Sequence, residues 1–186
     1  LLDADTKTQK PIAPISAPKY LTPTHVGESR FELELTGSEF FLTDHVIMGQ
    51  KTLPGVAYLE IVQQAATMLT KSSIILQKIV WLKPMMIEDK ALISIVFSEQ
   101  DEHHFQARVY ACVDGVDTVE HAQIKVAKTA GANVTSIDLG QLKASGGLRY
   151  DAEAIYHVFD EMGLSYGPSH QTLSEIKCIN DAPGGR

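Results

Sequence analysis

From Gly55 to about Thr70 the apolar residues Val56, Leu59, Val62, Ala66 and Leu69 recur every three or four positions, the spacing of an α-helix with one buried face. On either side of this segment the hydrophobic pattern has a different period. Phe31-Glu-Leu-Glu-Leu alternates apolar and polar residues, as a half-buried strand does. After the helix come four strand-length segments: Ile74 to Leu82, Ala91 to Phe97, Phe105 to Val113 and His121 to Val126. In the third of these, Phe105, Ala107, Val109, Ala111 and Val113 share one face. A single long helix set between one strand and a run of strands restricts the chain to an α+β unit, with the helix lying against a curved antiparallel sheet.

Composition narrows the functional classes. The 186 residues are 44% hydrophobic and 21% charged, enough to bury a sizeable core, and the formal net charge is −7. No basic stripe is present to neutralise phosphates, so a nucleic-acid partner is not expected. The longest apolar runs are strand-length, so no membrane span is expected either. The start, Leu1-Leu-Asp-Ala-Asp-Thr-Lys, has no apolar core of a secretion signal. Cys112 and Cys178 lack metal-ligand spacing and read as reduced thiols of a cytoplasmic protein, with no metal site. Pro11, Pro14 and Pro18, with Pro23 just beyond, make residues 1–20 an extended interdomain linker. Residues 21–128 form the first folded unit, and the small and polar residues within 129–149 form a connector. Residues 150–186 begin a second unit. There, Asp151 to Met162 predicts a helix with Ile155, Val158, Phe159 and Met162 inward and Gly163 just past its end, and Leu173 to Ile179 predicts a strand.

The chemistry-bearing segment lies immediately before the long helix: His45-Val-Ile-Met-Gly49-Gln-Lys-Thr-Leu-Pro54-Gly55-Val56. A neutral imidazole is a good proton acceptor near neutral pH. The first turn of a helix offers unpaired N–H groups and the positive end of a dipole to developing negative charge. Gly49 permits the bend between the histidine and the helix, Pro54 fixes φ ahead of it, and Gly55 lacks a Cβ that would block approach to the backbone. His103 and His104, between two strand segments, read as turn residues, and Asp114-Gly115 as a hairpin turn.

The spacing H-x-x-x-G-x-x-x-x-P from His45 through Gly49 to Pro54 resembles the signature of dehydratase domains of polyketide synthases, which are double hot-dogs. A second element, Tyr166-Gly167-Pro168-Ser169-His170-Gln171, resembles that family's Y-G-P-x-F-Q, with histidine in place of phenylalanine. The resemblance implies a hot-dog fold: an antiparallel sheet wrapped around a central helix, as the first unit of a pair plus the start of the second. It implies loss of water from a β-hydroxyacyl thioester, with His45 as general base and Gly55, Val56, Tyr166 and Gly167 at the substrate. Gly49, Pro54 and Pro168 would shape the two motifs. The family's acid is an aspartate in D-x-x-x-Q or D-x-x-x-H. Asp138, Asp151 and Asp160 do not fit that pattern, so the acid is expected beyond Arg186 and this segment alone is not expected to dehydrate efficiently.

No cofactor would bind directly. The substrate would ride on the phosphopantetheine arm of an acyl carrier protein, docking near Lys83, Lys90 or Lys143 beside other synthase domains, with a homodimer as a further option. Two rivals stay open: a relative that shifts an enoyl double bond or closes a pyran ring, and a non-catalytic hot-dog scaffold within a megasynthase.

Overall fold

Strand β2 (Arg30–Leu35) realises the alternation of its sequence, burying Phe31, Leu33 and Leu35 while Glu32 and Glu34 stay on the outer side. The computed structural model describes residues 21–129, 140 and 148–178. The expected linker 1–20, most of the connector 129–149, and the residues after 178 therefore lie outside the described residues. β2 joins β1 (Thr24–Gly27), β5 (Ile74–Trp81), β6 (Ala91–Glu99), β7 (His104–Val113) and β8 (Val116–Lys128) in a six-stranded antiparallel sheet of order β1-β2-β6-β7-β8-β5. Between β2 and β5 the chain forms the short helix α1 (Phe40–Thr43), the hairpin β3 (His45–Ile47) and β4 (Gln50–Lys51), and the 16-residue helix α2 (Gly55–Thr70).

Helix α2 lies on the sheet. Its buried residues are Ala57, Tyr58, Ile61, Val62, Ala65 and Ala66, which join Phe31, Ile93, Ile95, Phe97, Val109, Ile124 and Val126 in one core. The three alanines let the helix backbone approach the sheet closely, and each fully buried Ile or Phe contributes roughly 1.5–3 kcal/mol. A helix packed on an antiparallel sheet is the hot-dog arrangement that the resemblance implies.

Two details of the sequence reading are corrected. The buried stripe of α2 runs through Tyr58, Ile61, Val62, Ala65 and Ala66, and Val56 falls off it at 71% exposed. In β7 the register against β8 shifts between Val109 and Tyr110 and again between Ala111 and Cys112. The residues left over by the shifts, Thr118 and His121, belong to β8, while β7 keeps unbroken register with β6; Cys112 is buried on the side that carries Arg30, and Val113 is 57% exposed at the strand end beside the Asp114-Gly115 turn. The Asp114-Gly115 turn forms as expected, both residues taking positive φ between Val113 and Val116.

The second segment contributes β9 (Arg149–Asp151), helix α3 (Ala152–Glu161), β10 (Leu164–Tyr166) and β11 (Glu175–Lys177). Asp151 caps α3, its side chain accepting from the Ala154 N–H at 2.9 Å, and Gly163 at φ +78° ends it. Of the four residues expected inward, Ile155 is buried and Phe159 half-buried. Val158 and Met162 are exposed, because among the described residues one side of α3 is covered, by β9, β10 and β11. β11 pairs with β9, whereas β10 pairs with β3 in a separate three-stranded sheet of order β10-β3-β4.

Candidate active site

The small sheet β10-β3-β4 is where the two sequence motifs meet. Met48 and Gly49, with φ of +49° and +79°, form the two-residue turn that pairs Ile47 with Gln50 and Val46 with Lys51. This register carries Thr52 back opposite His45. The Thr52 N–H donates to the His45 carbonyl at 3.1 Å, and the His45 Nδ1 stands 2.7 Å from the Thr52 carbonyl oxygen. A carbonyl only accepts, so Nδ1 carries the hydrogen and Nε2 is left as the basic nitrogen. His45 is 9% exposed. Gly49 therefore belongs to the machinery that fixes the tautomer, acting through a turn three residues from the histidine.

Pro54 is the residue at the N-cap of α2, extended at φ −60° and ψ 141°, and no side chain caps the helix. The Ala57 N–H donates to the Pro54 carbonyl at 2.9 Å, and among the described residues the Gly55 and Val56 N–H groups are left without an intrahelical or side-chain acceptor. Gly55 starts the helix and lines, with His45, Thr52, Leu53, Tyr58, Trp81 and Lys83, a pocket of about 380 Å³. The side of Gly55 that lacks a Cβ is covered by the Trp81 indole, whose edge lies 3.4 Å from where a Cβ would stand. Tyr58 is 2% exposed, and burial pushes its hydroxyl pKa well above the ordinary phenol value.

β10 brings the second motif against the first. Tyr166 is the register partner of His45, and the two rings stack with centroids 5.4 Å apart at 22°. The His170 ring lies 5.2 Å from that of His45. Burial and the neighbouring His45 hold the His170 pKa below the usual imidazole value, against the opposing pull of Asp44. Gly167 packs on the Asp44 side chain and Pro168 is exposed beside it. Val56, expected at the substrate, lines a different pocket of about 450 Å³ together with Pro54, Phe40, Glu60 and His170. Lys83 sits at the edge of the His45 pocket, Lys90 pairs with Glu34 at 2.9 Å, and Lys143 lies outside the described residues.

Three residues of this site were not identified from the sequence. Thr52 was findable, since a two-residue turn at Met48-Gly49 places position 52 opposite position 45. Asp44 could orient the His45 imidazole but reads from sequence as a loop residue, on the general ground that adjacent side chains point apart, and in the structure it reaches Ser169 across 125 positions. Trp81 arrives at the pocket only through the pairing of β5 with β8, which no local pattern announces. Among the described residues no cluster of His, Cys, Asp and Glu is arranged to hold a metal ion, and no helix is long and apolar enough to cross a membrane.

Comparison with known proteins gives the same direction. The family model "Polyketide synthase dehydratase domain" matches residues 19–112. Polyketide synthase PksN of Bacillus subtilis is 30% identical over 82% of this chain, which spans 3% of that protein. Polyketide synthase PksM of the same organism is 31% identical over 80% of this chain, which spans 4% of it. Among solved structures, a trans-AT polyketide synthase dehydratase domain from Brevibacillus brevis superposes with a TM-score of 0.78 at 31% identity, over 86% of this chain and 60% of that one. The dehydratase domain from the CurF module of curacin polyketide synthase superposes with a TM-score of 0.76 at 22% identity, over 86% of this chain and 62% of that one, a likeness of fold. With a matching family model over half its length, two motifs assembled around one histidine and a hot-dog core, the chain belongs to the polyketide synthase dehydratase domain family.

Proposed function

We propose that this chain supplies the base-bearing half of a dehydratase that converts a β-hydroxyacyl thioester, carried on the phosphopantetheine arm of an acyl carrier protein, to the α,β-unsaturated thioester. The observation that carries the reading is the 2.7 Å contact of His45 Nδ1 with the Thr52 carbonyl, which reserves Nε2 for proton abstraction. Nε2 takes the α-proton, and the electron pair of the C–H bond becomes the α,β double bond as the C–O bond to the β-hydroxyl breaks. The hydroxyl leaves as water with a proton from an acid that the described residues do not supply. Negative charge that gathers on the thioester oxygen meets the uncapped first turn of α2 at Gly55. Gly55, Tyr166 and Gly167 would lie closest to the substrate, with Val56 contributing its backbone rather than its side chain. Other synthase domains and the carrier protein are the partners this reading requires, no cofactor binds directly, and the setting is the cytoplasm.

The test is the intact mass of a 3-hydroxyacyl carrier protein after incubation with this chain, and with a polypeptide that continues past Arg186. Loss of one water with the longer polypeptide, abolished by His45→Ala, is the expected result. No loss with either, together with α-deuterium exchange into an enoyl carrier protein, would replace dehydration by double-bond isomerisation.

A further inference from the structure

Asp44 holds the Tyr166–His170 segment by three separate means. Its carbonyl accepts from the Gly167 N–H at 2.8 Å, and its carboxylate Oδ2 accepts from the Ser169 N–H at 2.8 Å. A Cβ on Gly167 would stand 2.4 Å from the carboxylate, so the backbone there approaches as only glycine allows. The rings on either side of this grip, Tyr166 and His170, are the two that lie against His45. From the other side, the Tyr156 hydroxyl of α3 donates to the His170 carbonyl at 3.2 Å and accepts from the Leu173 N–H at 2.9 Å.

We infer that Asp44 is a positioning residue: it clasps the Gly167-Pro168-Ser169 turn so that Tyr166 and His170 are held against the His45 ring. β10 has only three residues, and its pairing with β3 ends at Tyr166, so strand pairing alone does not fix the chain beyond that point. His45 is anchored by one ring bond at Nδ1, which leaves rotation about that bond to be limited by its ring neighbours. The clasp supplies those neighbours. Its catalytic consequence rests on the function proposed above, whereas its geometry does not.

The two are separated by two measurements. Ring-to-ring cross-relaxation between His45 and His170, which lies beyond the last paired residue of β10, reads the clasp in the folded chain without any turnover. It is expected in wild type and in Asp44→Asn, whose amide oxygen still accepts from the Ser169 N–H, and lost in Asp44→Ala. Persistence in Asp44→Ala overturns the inference, and loss in both variants overturns the assignment of Asp44 as a hydrogen-bond acceptor. If Asp44→Ala does not fold, Gly167→Ala breaks the grip from the other side, and the same contact retained in that variant overturns it. In a dehydration-competent polypeptide, Asp44→Ala is expected to lower kcat by about 10- to 100-fold with KM little changed, and Asp44→Asn to restore most of it. A wild type without turnover would sink the proposed function and leave the ring measurement standing.

Discussion

The six-stranded sheet and the three-stranded patch of β10, β3 and β4 are built on different principles. The large sheet has strands of up to 13 residues and holds α2 through a continuous apolar core from Phe31 to Val126. The small patch has strands of two or three residues and is held by single polar contacts: His45 to Thr52, Gly167 and Ser169 to Asp44, and Met48 to the Gly163 carbonyl at 2.8 Å. Burial is non-directional and tolerates small shifts, whereas hydrogen bonds fix angles and tautomers. The chain thus carries stability in one region and chemical geometry in the other, with α2 shared between them: its body is packed in the core, and its uncapped first turn opens into the His45 pocket.

The comparison breaks if damage to the patch unfolds the protein. His45→Ala is expected to lower the dehydration rate of a competent polypeptide by about 10²–10⁴-fold while the denaturation midpoint stays near wild type. A collapse of the midpoint would mean that the patch also carries the fold. The reverse test is Phe31→Ala in the core, expected to cost about 3–5 kcal/mol in chemical denaturation. A smaller change, Gly49→Ala, meets no atom within 4 Å, so its cost of about 1–2 kcal/mol is that of a left-handed backbone alone. It should reduce turnover more than that stability loss explains, since the turn sets Thr52 opposite His45.

The smallest effect sharpens the contrast on the outer side of the large sheet. Arg30 grips Asp117 through both carboxylate oxygens at 2.7 and 2.8 Å and holds that carboxyl below its usual range. A lowered carboxyl pKa contributes stability above the unfolded value of about 3.9 and loses it as pH falls through the folded value. Asp117→Asn is therefore expected to cost about 1 kcal/mol near neutral pH, with the difference from wild type vanishing in denaturation curves measured well below pH 4.

Much of this division is written in local sequence. The period of β2, the helix from Gly55, the Asp114-Gly115 turn and the Gly163 helix end all depend on neighbours within a few residues, and each forms where its pattern places it. The two motifs were legible as motifs, and their meeting followed from resemblance. What the sequence hides is set by distant partners. Val56 continues the apolar count of α2 yet faces away, because the sheet covers an arc centred on Tyr58, Ile61 and Ala65. Val113 follows its strand's alternation, yet as the last residue of β7, beside the Asp114-Gly115 turn, it is exposed. Asp44 and Trp81 become site residues only when β10 docks on β3 and β5 on β8.

The claim on which the mechanism turns is the tautomer of His45. Nitrogen NMR of the folded chain, with His45 labelled and observed near neutral pH, reads it directly. The account predicts a protonated, pyrrole-type Nδ1 with a scalar coupling across its hydrogen bond to Thr52, and an unprotonated Nε2. A hydrogen on Nε2 with Nδ1 bare would contradict it, because the nitrogen not engaged by Thr52 would then have no lone pair with which to take a proton.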